Sequence, residues 1–128
     1  MKKEALLYHK LQGADVQCDL CSHRCRIADR KLGICGVRQN LGGVLYTLVY
    51  GEVIASQVDP VEKKPLYHFL PGTQSFSIAA PGCNFHCGFC QNWQLSQLKA
   101  GTGISFEDHF CPATDTVNAA MSQKCASI

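Results

Sequence analysis

The sequence predicts an α/β chain: a Cys-rich N-terminal segment with a β-hairpin, followed by the first βα unit of a sheet, cut short. Three observations predict this. Cysteines crowd residues 16–38, and β-branched and aromatic residues flank the pair Tyr50-Gly51. From residue 75 onward, a strand pattern, a loop, a helical pattern and a second strand start follow in order. At 128 residues the chain is one small domain's length. It is too short for a complete α/β barrel, which takes about 250 residues.

The elements read as follows. Residues 4–11 carry helix formers, with Leu7 and Leu11 at i, i+4 and Gly13 as the stop. Residues 16–38 form a Cys-rich loop in which Gly33 and Gly36 supply turns. Residues 44–50 and 52–58 read as the two strands of the hairpin. Asp59-Pro60 starts a turn, and Pro65 and Pro71-Gly72 keep the next stretch irregular. Residues 75–80 read as a short buried strand feeding a loop directly. Residues 113–124 predict a helix with Pro112 at the first helical position and Val117, Ala120 and Met121 on one face. Ala126-Ser127-Ile128 opens another strand. The chain divides into residues 1–74, the metal-binding segment with its hairpin, and 75–128, the start of a second unit.

Composition narrows the function. Apolar residues make up 46% of the chain, so disorder is not expected. The net charge of +2 is no footprint for nucleic acid. No stretch approaches the roughly 20 apolar residues of a membrane span, and the N-terminus carries no secretory signal pattern. The expected setting is therefore the reducing cytoplasm, where clustered cysteines read as metal ligands or catalytic thiols. From Pro65 through Leu98 there is no Asp, Glu, Lys or Arg. That stretch predicts a buried strand with its loops, or a dry pocket around a metal centre.

The nine cysteines fall into three classes. Cys18, Cys21, Cys25 and Cys35 form C-x2-C-x3-C-x9-C. Cys83, Cys87 and Cys90 form C-x3-C-x2-C, and Cys111 and Cys125 stand alone as small apolar residues. Three thiolates at the second pitch suit three corners of an iron–sulfur cube and leave one iron open to substrate. Zinc with His86 as fourth ligand is the alternative.

The three-cysteine spacing with Phe89 before its last Cys resembles the signature of the radical S-adenosylmethionine (SAM) superfamily. The resemblance extends through Ala80-Pro81-Gly82-Cys83-Asn84-Phe85, Cys90-Gln91-Asn92-Trp93, and Asp59-Pro60-Val61-Glu62-Lys63-Lys64-Pro65-Leu66-Tyr67-His68-Phe69. These segments look like the AmmeMemoRadiSam system radical SAM enzymes, which are similar to pyruvate formate-lyase activating enzymes. The resemblance implies a [4Fe–4S] cluster on Cys83, Cys87 and Cys90, with SAM chelated at the open iron and Phe89 against its adenine. It implies reductive cleavage of SAM to methionine and a 5′-deoxyadenosyl radical that abstracts hydrogen. It also implies an electron donor such as flavodoxin or ferredoxin and a protein substrate. The family fold is a partial (β/α) barrel, and this chain stops where its second strand would begin. The expectation is a truncated radical SAM barrel that cleaves little SAM alone. Residues 98–112 depart from the family pattern. No residue is assigned a catalytic role.

The four-cysteine group suffices to close a zinc site and equally to hold a second iron–sulfur cluster. His23 reads as a surface or neighbouring residue, and Arg24, Arg26, Arg30, Lys31 and Arg38 make the region basic. Of the remaining candidates, Glu62-Lys63-Lys64 reads as a solvated charge run, His68 as a core or rim residue, and Trp93 as core. Gly101-Thr102-Gly103 is too poor a glycine pattern for phosphate. Two rival functions remain: a zinc-binding interaction module without catalysis, and a nucleic-acid-binding zinc protein, which the low charge disfavours.

Overall fold

The computed structural model of the chain describes residues 1–98 and 110–128. The pattern at residues 101–103 lies outside them, as does most of the divergent stretch 98–112. The described residues form small antiparallel sheets and two short helices, which overturns the expected βα unit of a partial (β/α) barrel. Strands β1 (Lys3–Glu4), β6 (Val44–Thr47) and β5 (Arg38–Leu41) make one sheet in the order β1-β6-β5. Strands β2 (Tyr8–Lys10), β3 (Val16–Cys18) and β4 (Arg26–Ile27) make a second. Strands β7 (Ala55–Pro60) and β8 (Gln74–Ala79) pair as a two-stranded ribbon, joining residues on both sides of position 74.

Residues 4–11 are strands and a turn, not a helix. Eight residues make a marginal helix in water. Here Ala5 is instead drawn into the core, with its N–H on Leu45 O at 2.8 Å, while Leu6 is 91% exposed. The hairpin turn also moves. It lies at Gly42-Gly43, between Leu41 and Val44, with φ of 61° and 82°. Positive φ at both central positions is the geometry whose twist matches paired strands, and glycine adopts it without steric cost. The segment after Gly51 pairs with β8 rather than with β6.

The core gathers Ala5, Val16, Cys18, Ile27 and Leu45, with Tyr8 and Cys25 packed against them. It therefore joins both three-stranded sheets. Asn40 is fully buried beside it. Its amide donates to Ala14 O and Ile27 O at 2.6 and 2.8 Å, and its Oδ1 accepts from Gly43 N at 2.9 Å. Glu52 is also buried; the Met1 ammonium meets its charge, while neither carboxylate oxygen accepts a hydrogen bond among the described residues.

The strand expected at 75–80 is present as β8, but as part of a ribbon in which only Asp59, Ser75 and Phe76 are buried. A loop with Val61–Lys63 in a 3-10 turn separates it from β7. Helix α1 (Trp93–Ser96) follows the three-cysteine loop. Helix α2 (Ala113–Ser122) confirms the predicted helix, with Pro112 as its N-cap rather than its first residue. Its inward side is Thr116 and Ala120; Val117 and Met121 face solvent. The C-terminus touches β8 through an isolated parallel bridge, Ser75 to Ser127. Among the described residues no helix is long and apolar enough to cross a membrane.

Candidate metal centres

The three-cysteine loop leaves β8 at Pro81 and is closed by α1. Gly82 N donates to Leu95 O at 3.1 Å, and Cys90 N to Cys87 O at 3.2 Å. Cys83 Sγ accepts the Phe85 N–H at 3.4 Å, and Cys90 Sγ lies 3.4 Å from Ser96 Oγ. Gln97 secures the loop's outer arm, accepting from His86 Nδ1 at 2.9 Å and donating to Phe85 O at 3.3 Å. His86 thus faces Gln97 rather than the thiols. Cys83 and Cys90 are half-buried, Cys87 is exposed, and Phe89 is 92% exposed at the loop's tip.

All nine cysteines are free thiols. As placed, no three His, Cys, Asp or Glu side chains among the described residues stand close enough to share an ion. The donor set nevertheless fits a cluster chemically. It offers three thiols on one loop, with N–H and hydroxyl groups at two of the sulfurs, the kind of contact that tunes iron–sulfur sites.

The four-cysteine group shares a cavity without its side chains meeting. Cys18 ends β3, and its N–H donates to Cys25 O at 2.9 Å across a tight turn in which Arg24 N donates to Cys21 O at 3.1 Å. Arg24 adopts φ of 45° there. Cys35 follows Gly33 on a second turn. Cys18, Cys21, Cys25 and Cys35 all line one cavity of about 250 Å³, and Gly82 and Cys83 close its far wall. The two Cys groups, separate in sequence, are therefore neighbours. His23 is exposed, and its Nε2 donates to Asn84 O at 2.9 Å, a bond between the two loops that sequence reasoning missed.

A second cavity, of about 510 Å³, lies between the β7–β8 ribbon and the start of α1. Asp59, Lys63, Lys64, Gln91 and Asn92 line it. Asp59 does not start a turn. It lies within β7, next to its last residue, as a buried carboxylate accepting from Lys63 Nζ and Lys64 Nζ, both at 2.7 Å, and from Gln57 and Ser77. The two lysines hold its carboxyl far below the usual carboxylate range, with Gln57 and Ser77 adding to the effect. The lysine run, expected to be solvated, is thus pinned to the ribbon.

The charge-free stretch is not the dry interior its composition suggested. Tyr67, Phe69, Phe85 and Trp93 are all exposed, Trp93 by 61%, and His68 is exposed with them. Lack of charge removes one reason for exposure but supplies no neighbour to bury against.

The chain is similar to two proteins of Methanocaldococcus jannaschii. It is 48% identical over 96 residues to the uncharacterized protein MJ0808, covering 75% of this chain and 29% of that protein. It is 29% identical over 82 residues to the uncharacterized protein MJ0674, covering 63% of this chain and 19% of that one. The chain therefore spans less than a third of either relative's length. No family model matches the chain, and no solved structure matches it.

Proposed function

We propose that this chain carries the cluster-binding part of a radical SAM enzyme, related in activity to the activases of glycyl-radical enzymes. The supporting observation is the loop after β8: three free thiols at C-x3-C-x2-C, with Phe85 N–H at one sulfur and the Ser96 hydroxyl at another. Cys83, Cys87 and Cys90 would hold a [4Fe–4S] cluster as its three protein ligands. Such a cluster supplies the electron that cleaves SAM to methionine and a 5′-deoxyadenosyl radical, which takes hydrogen from a substrate. The N–H and O–H donors at Cys83 and Cys90 spread the negative charge of the bound thiolates. Phe89, at the exposed tip, would present its ring to the adenine of SAM. Exposed Cys87 sits where a flavodoxin or ferredoxin could deliver the electron. A protein substrate and a cytoplasmic setting belong to the same reading.

Anaerobic reconstitution with iron and sulfide tests it. The expected product is a brown, oxygen-sensitive protein with acid-labile sulfide, which Cys87→Ala fails to hold. A colourless protein with stoichiometric zinc on Cys83, Cys87 and Cys90 would instead favour an interaction module without catalysis.

A further inference from the structure

We infer that Cys18, Cys21, Cys25 and Cys35 form a tetrathiolate zinc site, distinct from the three-cysteine loop and bracing it. The argument begins with placement. Three of these thiols come from the β3–β4 turn and its flanks and the fourth from the turn at Cys35, yet all four face one cavity. The rest of that cavity is mostly apolar, with Leu20, Ile27, Ile34 and Val37 among its lining. No carboxylate or imidazole lines it. Asn84 and Cys83 of the later loop are the other possible donors in the lining, and four thiolates on the first two turns suffice for one tetrahedral zinc ion with no open position.

Charge and stability point the same way. Zinc with four thiolates carries two excess negative charges, and Arg38 Nη1 stands 3.6 Å from Cys18 Sγ. The surrounding strands are two to four residues long, and few apolar side chains are buried among them. Sheets this small gain most from a metal staple. As placed, no three of these side chains stand close enough to share an ion, so closing the site needs side chains such as those of Cys21, Cys25 and Cys35 to move. All three are half-exposed, so other staggered rotamers are open to them.

The bracing follows from the far wall. Gly82 has φ of 88°, and a Cβ there would meet Val37 Cγ1 at 2.5 Å and Cys35 O at 3.0 Å. The backbone that delivers Cys83 thus rests directly on the turn that delivers Cys35. A metal fixing Cys35 fixes the floor under Cys83.

The test uses the 128-residue chain loaded with zinc alone, without iron or sulfide. The Cys83→Ser/Cys87→Ser/Cys90→Ser variant should keep one zinc per chain, and Cys18→Ser/Cys21→Ser should lose it. Because that double variant could fail to fold, the wild-type chain supplies an independent measurement. Alkylation mapped by mass spectrometry should slow about tenfold or more with zinc at the four cysteines, leaving Cys111 and Cys125 unchanged. Cobalt substitution should give the intense bands of a tetrahedral tetrathiolate. Zinc lost from the triple variant, or equal labelling with and without zinc, would overturn the inference. So would acid-labile sulfide held by the triple variant after reconstitution, since that places a cluster on the four cysteines. None of these outcomes depends on the three-cysteine loop binding its own cluster.

Discussion

Asp59 shows at the scale of a residue how a local pattern misleads. Asp-Pro reads as a turn start, yet here the carboxylate is buried among Lys63, Lys64, Gln57 and Ser77. Three of those partners are near in sequence, but Ser77 lies on the other strand of the ribbon, and the burial that brings all four together is not a local property. Its carboxyl titrates far below the usual range because the two lysines favour the ionised form. A folded value below the unfolded one stabilises the fold fully above about pH 4. That contribution is lost as pH falls toward the folded value. Asp59→Asn should therefore lower the melting temperature at neutral pH, and the gap from wild type should narrow in acid below about pH 4. A pH-independent gap in melts would count against this account. Asn40 is the neutral counterpart. Its side chain serves Ala14 O, Ile27 O and Gly43 N in the interior. Asn40→Ala strands those groups and should cost about 1–3 kcal/mol, read from the urea midpoint. No sequence motif marked it, because an amide's value here comes wholly from burial. The grouping of the cysteines could be read from their spacing, whereas the place of Cys83 in the lining of the four-cysteine cavity could not.

At the scale of elements, β8 was readable because Pro-Gly pairs bracket it, and α2 because Pro112 opens a run of helical pattern. The first strands were not. Two leucines at helical spacing suggested a helix, but pairing of β2 with β3 and of β1 with β6 satisfies the same backbone through distant partners. The hairpin was right in kind and wrong in place, because Gly42-Gly43 has the turn geometry that Tyr50-Gly51 was expected to provide. The α2 face was misread in the same way: tertiary contacts chose Thr116 over Val117. The loop between β8 and α1 carries a prediction of its own. Gly82→Ala should displace the segment bearing Cys83, since the new methyl meets Val37 and the Cys35 carbonyl and φ remains positive. Thiol labelling should become faster at Cys83 while Cys111 and Cys125 keep their rates. Unchanged labelling throughout would show that the loop yields without moving its cysteine.

For the molecule as a whole, the expected βα unit gives way to antiparallel pairings. Order along the chain suggested strand, helix and parallel strand, but among the described residues only the Ser75–Ser127 bridge runs parallel. Sequence order cannot show which strand lies beside which, and β8 found β7. The charge-free stretch was misjudged for a related reason: it ends at the surface with every aromatic side chain but Phe76 exposed. What the sequence could not show, the fold supplies in the approach of the two cysteine groups. His23 and Asn84 lie 61 positions apart and are joined by a hydrogen bond. A chain made from its N-terminus releases the first group well before the second emerges. The turn at Cys35 can therefore be in place when Gly82 arrives, and the later loop is cast against a finished mould. Order of synthesis thus becomes part of how Cys83 finds its position.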